Sequence, residues 1–185
     1  MNDLPQAQAD MRSAYLSGGA GVFASSLAWL AAAIATLELP AQQAVWVLFA
    51  GGMAIHPASI LICKLLGASG KHAKGNPLGL LAGATVFWLI FSLPLAYVVA
   101  LYRIEWFFPA MLLVIGGRYL TFATLFGMRV YWVLGLTLAA AGYLLGKALA
   151  TPTVGAFAGS ALEVMFAAYI LVLHRRTRVT AVAAA

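Results

Sequence analysis

The sequence predicts an all-α, polytopic transmembrane helical bundle with six spans and both termini cytoplasmic. Three observations carry this expectation. Of 185 residues, 64% are hydrophobic and 9% charged, against about 45–50% apolar and about 25% charged in an ordinary soluble domain. The apolar residues gather into six runs of roughly twenty residues, the length at which a helix crosses a bilayer. The polar residues collect in the short stretches between. In water, six such helices would expose more apolar surface than a soluble protein tolerates. The alternating ten-residue strands of a membrane barrel are absent from the sequence.

Residues 1–14 form a polar N-terminal segment with Asp3, Pro5, Asp10 and Arg12, expected as a loose tail or a short surface helix. The first span covers about 15–37 and ends at Glu38-Leu39-Pro40. It is too long for the apolar region of a signal peptide, and only Arg12 precedes it, so it reads as a retained span. The second span covers about 42–66 and is followed by Gly67-Ala68-Ser69-Gly70-Lys71-His72-Ala73-Lys74-Gly75-Asn76, the one polar internal loop. Pro77 suits a first helical turn and opens the third span, about 77–101. Tyr102-Arg103-Ile104-Glu105 makes a tight connection to the fourth span, about 106–126, which precedes the fifth, about 129–149. Thr151-Pro152 marks the turn into the sixth, about 153–173, and 174–185 is a basic tail that stops this span. The six spans, 15–173, form one transmembrane domain.

Basic residues orient such a bundle, because cytoplasmic loops carry an excess of Lys and Arg. With the N-terminus inside, the cytoplasmic set is Arg12, Lys64, Lys71, Lys74, Arg129, Arg175, Arg176 and Arg178; the other side has Arg103 and Lys147. The expected location is therefore the inner (cytoplasmic) membrane, crossed several times. The net charge of +6 follows from this topology and from contact with anionic headgroups, so the expected partner is the lipid bilayer and not nucleic acid. Cys63 is the single cysteine, which excludes an intrachain disulfide.

Small residues recur four apart in Ser17/Gly21/Ser25, Gly79/Gly83, Gly142/Gly146 and Gly155/Gly159. This spacing lets helix backbones approach closely in lipid. Packing within the chain is the first expectation, and a homodimer interface is the second use of the same pattern.

Three ionisable residues fall in the middle of spans: Arg118, Glu163 and His56. A guanidinium keeps its charge, and an isolated arginine at the bilayer centre costs at least about 3 kcal/mol on insertion scales. At a rise of about 1.5 Å per residue, all three lie roughly 15–20 Å below the outer face. Arg118 shares a helical face with Thr121, Glu163 with Ser160, and His56 with Ser59 and Cys63. Gly116 and Gly117 would let other groups approach the backbone beside Arg118. Pro57 and Pro94 each free a carbonyl four residues back, and such groups line interior cavities in membrane proteins.

Two readings of the Arg118–Glu163 pair stand side by side: a structural tie between the fourth and sixth spans, or a working site. In the working site, Arg118 is a fixed cation, Glu163 its counter-ion or proton acceptor, and His56 a polar neighbour, with Thr121, Ser160 and Gly117 beside them. The expected function is transport or membrane binding of a small polar or anionic solute or ion. A structural or accessory subunit is the first alternative, and a lipid-active enzyme using Glu163 and His56 the second. No catalytic residue is assigned. The sequence has no phosphate loop, no Cys-x-x-Cys and no zinc-protease helix motif, and its three histidines lie at different levels. No metal and no cofactor is therefore expected.

The segment Gly117-Arg118-Tyr119-Leu120-Thr121-Phe122-Ala123-Thr124-Leu125-Phe126-Gly127-Met128-Arg129-Val130-Tyr131-Trp132 resembles one found in small bacterial membrane proteins of unknown function, and the resemblance implies no activity. By architecture, with Ala20/Ala24/Ala28/Ala32 in the first span, the chain is also similar to the six-helix substrate-binding subunits of energy-coupling-factor vitamin transporters. This second likeness is one of architecture alone.

Overall fold

A computed structural model describes residues 3–183, with side chains described as far as Thr177. Among the described residues, every regular element is helical. The order is α1 (Leu4–Ala14), α2 (Gly19–Glu38), α3 (Ala41–Leu65), α4 (Leu78–Tyr102), α5 (Phe107–Phe126), α6 (Val130–Lys147) and α7 (Pro152–Ala183), with short 3₁₀ turns at Leu16–Gly18 and Ile104–Trp106. Among the described residues, six helices are long and apolar enough to cross a membrane. The protein is thus a multi-pass membrane protein.

Of the two forms expected for the N-terminal segment, it takes the short helix, α1. α1 carries Ala7, Met11 and Ala14 on one buried stripe. It docks across the basic end of the bundle. Gln8 Nε2 donates to the Thr124 carbonyl at 2.8 Å, and Arg12 Nη1 to the Phe126 carbonyl at 2.6 Å. These carbonyls end α5, where the helix itself supplies no donors and its dipole favours a cation. The Asp10 carboxylate accepts from the Ala73 amide at 2.9 Å and from Asn76 Nδ2 at 2.7 Å. Asn76 Nδ2 also donates to the Ala7 carbonyl at 3.0 Å. One short helix therefore ties down the polar loop and closes the end of α5.

Between α1 and α2 the chain turns into the bundle through a left-handed step at Leu16 (φ 52°), Ser17 (φ 55°) and Gly18 (φ 84°). Side chains rarely tolerate this backbone. Polar contacts hold it: Tyr131 Oη donates to the Ser17 carbonyl at 2.6 Å, and Ser17 Oγ meets His174 Nδ1 at 2.9 Å.

α2 is the central helix, packed against α3 on one side and α7 on the other. The contacts are close because small residues line them. A Cβ on Gly51 would stand 2.9 Å from the Ala28 Cβ, and one on Gly159 would stand 2.5 Å from the Trp29 indole. α5 meets α6 the same way: a Cβ on Gly116 would lie 2.7 Å from the Gly135 carbonyl, and one on Gly142 2.6 Å from the Pro109 carbonyl. Gly116 therefore serves helix packing and is closed to other groups. α4 attaches along α5, while α3 and α4 meet at the Trp46 and Tyr97 rings, 5.5 Å apart. In each of these two spans only 11% of the most apolar window is buried within the chain. Lipid covers such a surface at no cost, since its tails are as apolar as leucine.

α7 does not stop at His174. The helix runs through Arg175 and Arg176 to Ala183, because Arg and Ala are strong helix formers and no Gly or Pro interrupts them. Ala184 and Ala185, the Arg178 side chain, Met1 and Asn2 lie outside the described residues.

Candidate functional site

Glu163 is fully buried on α7, with 0% of its surface accessible. Its Oε1 accepts a hydrogen bond from Tyr119 Oη of α5 at 3.1 Å. Ser25 and Trp29 of α2 stand beside the same carboxyl group. One turn earlier on α7, Ser160 Oγ donates to the Ser26 carbonyl at 3.1 Å. The carboxyl group thus lies where α2, α5 and α7 meet, walled by the Trp29 indole. That indole lies flat over Gly159 and 6.0 Å from the Phe108 ring.

Three buried polar atoms in this neighbourhood have no hydrogen-bond partner: Glu163 Oε2, Trp29 Nε1 and Arg118 Nε. Each comes from a different helix. A buried polar group left unsatisfied costs about 1–3 kcal/mol, more when charged, so such groups are rare in native interiors. Arg118 is half-buried, next to Tyr119 on α5. Its guanidinium carbon lies 5.4 Å from the centre of the Phe122 ring, a cation–π distance. The Glu163 carboxylate is held by the Tyr119 phenol and not by a salt bridge to Arg118. Tyr119 is fixed in turn by stacking on Tyr131 at 6.2 Å and by an edge contact with Phe122 at 5.3 Å.

The other residues singled out in the sequence fall in different places. Thr121 Oγ1 donates to the Arg118 carbonyl of its own helix at 2.7 Å, which fixes the backbone beside the arginine. Ser160 is buried and already bonded to α2. Gly117 is exposed, with open space where a Cβ would stand. His56 does not join the group. In this half of the helix α3 turns Ala44, Leu48 and Gly51 toward α2, and His56 sits about 140° around the helix from Gly51 at 100° per residue. Its side chain is exposed. The pairing of His56 with Glu163 that a lipid-active enzyme would need is therefore not formed. Among the described residues, no three His, Cys, Asp or Glu side chains group as metal ligands would.

Tyr119, Trp29 and Ser25 were not legible as members of the site. Trp29 reads from sequence as an apolar packing residue, and most of its surface does pack. Only its ring nitrogen, aimed beside the carboxylate, sets it apart. Adjacency to Arg118 is the one sequence signal that marks Tyr119.

Comparison with known proteins adds family membership. No curated protein and no solved structure matches the chain. A family model described as a family of unknown function, DUF7010, matches residues 4–173. That match covers α1, the first five spans, most of the sixth and the site at Arg118 and Glu163, and the chain belongs to the DUF7010 family.

Proposed function

We propose that this protein binds a small anionic solute at Arg118 in the middle of the membrane and moves it across the cytoplasmic membrane. The observation that carries the reading is the set of three unpartnered buried polar atoms, Arg118 Nε, Trp29 Nε1 and Glu163 Oε2. Of these, Arg118 Nε is a donor with no carboxylate facing it. Arg118 presents an N–H group that an anion would satisfy, while the Trp29 N–H lies beside the Glu163 carboxyl group. Glu163 Oε2 is an acceptor, and it meets a protonated or hydroxyl-bearing edge of the same solute or a proton carried with it. Charged groups at this depth face cavities and pathways in membrane proteins far more often than lipid. The fixed tie of Glu163 to Tyr119 leaves Oε2 for this purpose.

A purely structural role for Glu163 is the competing reading. It is favoured by the Tyr119 bond, which links α7 to α5. Flux separates the two. Purified protein in sealed liposomes is loaded and assayed with radiolabelled chloride, acetate and phosphate. The expected result is protein-dependent uptake of at least one of these anions, lost in Arg118→Leu and reduced in Glu163→Gln. Uptake equal to that of protein-free liposomes for all three, or equal uptake by both variants and the parent, would overturn the proposal.

A further inference from the structure

A second feature lies away from the interior site. At the basic end of the bundle, α6 and α7 enclose a lateral cleft with a volume of about 750 Å³. Its walls are Met128, Arg129, Val130 and Val133 on one side and Met165, Phe166, Tyr169 and Leu173 on the other. α6 packs its small-residue face on α5, so at this end little of it reaches α7. The short connection from Lys147 to Pro152 joins the two helices only at the opposite end.

We infer that this cleft is a binding site for one anionic phospholipid, with an acyl chain along α7 and the phosphate at Arg129. Three observations select that occupant. The walls are apolar along their depth, with no polar group to hold a headgroup except the Tyr169 hydroxyl. From Met165 to Leu173 the wall is about 12 Å deep at 1.5 Å per residue, close to one leaflet of a hydrocarbon core about 30 Å thick. The basic group sits at one end only: Arg129 lines the mouth, and exposed Arg175 follows two residues after Leu173. A guanidinium forks onto a phosphate through two parallel hydrogen bonds. Basic pockets between membrane helices on the cytoplasmic side recognise anionic headgroups in this way. Val133, Met165 and Tyr169 are each more than half exposed, so the cleft opens sideways into lipid and needs no conformational change to load.

The inference is independent of the transport reading, because neither Arg118 nor Glu163 lines the cleft. Its test is the thermal midpoint of detergent-purified protein after addition of phosphatidylglycerol, phosphatidylcholine or inorganic phosphate. A ligand that binds only the folded state at a hundredfold excess over its Kd raises the midpoint of a chain this size by roughly 5–10 °C. The expected result is that rise with phosphatidylglycerol alone. It disappears in Arg129→Gln, which removes the phosphate contact, and in Val133→Trp, which fills the cleft from an exposed position that tolerates the change. An equal rise with phosphatidylcholine would show that charge is not read. An equal rise with inorganic phosphate would show an anion site without a lipid. A rise retained in either variant, or none in the parent, would place any lipid contact elsewhere. Each of these outcomes overturns the inference.

Discussion

Tyr119→Phe removes one oxygen atom from the interior and leaves the ring. Its stacking on Tyr131 and its edge contact with Phe122 survive, so the substitution isolates the hydrogen bond to Glu163. In the parent, Oε1 has that phenol and Oε2 has no partner. In the variant, a carboxyl group with 0% exposure loses its bond to the phenol and keeps only Ser25 and Trp29 beside it. A hydrogen bond to a charged group contributes about 1.5–3 kcal/mol, which lowers the thermal midpoint of a chain this size by roughly 3–12 °C. The assay is thermal unfolding in detergent, run in the parent and in a Glu163→Leu background. With leucine opposite, the hydroxyl has lost its acceptor, and removing it costs nothing or stabilises slightly. The expected coupling is therefore about 2 kcal/mol. Equal effects of Tyr119→Phe in the two backgrounds, within about 0.5 kcal/mol, would refute the reasoning and mean that the phenol is held by something other than the carboxylate.

Other consequences concern packing and the cytoplasmic end. Gly159→Val places a branched side chain where even a Cβ would stand 2.5 Å from the Trp29 indole, and overpacking of this kind costs about 1–3 kcal/mol; unfolding midpoints and Trp fluorescence both report it. His56→Leu is expected to change stability by less than about 0.5 kcal/mol, since the side chain is exposed, and to leave anion uptake at the parent level. Asp10→Ala removes the acceptor for the Ala73 amide and Asn76. The loop from Gly67 to Asn76 is then expected to exchange its amides and to be cleaved by protease at least several times faster, while the spans stay protected.

The spans were legible because a bilayer imposes one length and one composition on every crossing helix. Their apolar runs are separated by Pro40, the loop at Lys71 and Lys74, and Pro152, which stand out against them. What composition could not show is which face of each helix turns inward. For His56, the answer depends on Gly51 allowing Ala28 to approach, a pairing between helices that no single run encodes. For α1 a short helix was one of two expected forms, but its docking was obscured for the opposite reason. Asp3, Asp10 and Arg12 make it polar overall, yet its Ala7–Met11–Ala14 stripe finds a partner at the end of α5. At the site, charge was the visible signal, and it led to Arg118 and Glu163. The residues around the carboxylate, Tyr119 and Trp29, are aromatic and look like packing until the direction of one polar atom on each is known. The last helix outran its apolar stretch because the polar residues after His174 end the membrane span without ending the helix.

The central claim is that Arg118 and Glu163 form a polar site open to a guest and not a closed tie. Unfolding of Arg118→Leu, Glu163→Leu and the double variant in detergent measures their coupling directly. With no ion pair between them and the Glu163 carboxyl group already tied to Tyr119, the single variants are expected to fold and the coupling to stay below about 1 kcal/mol. Single variants each destabilised by about 3–5 kcal/mol, with stability recovered in the double variant, would reveal a dry buried pair and contradict the claim.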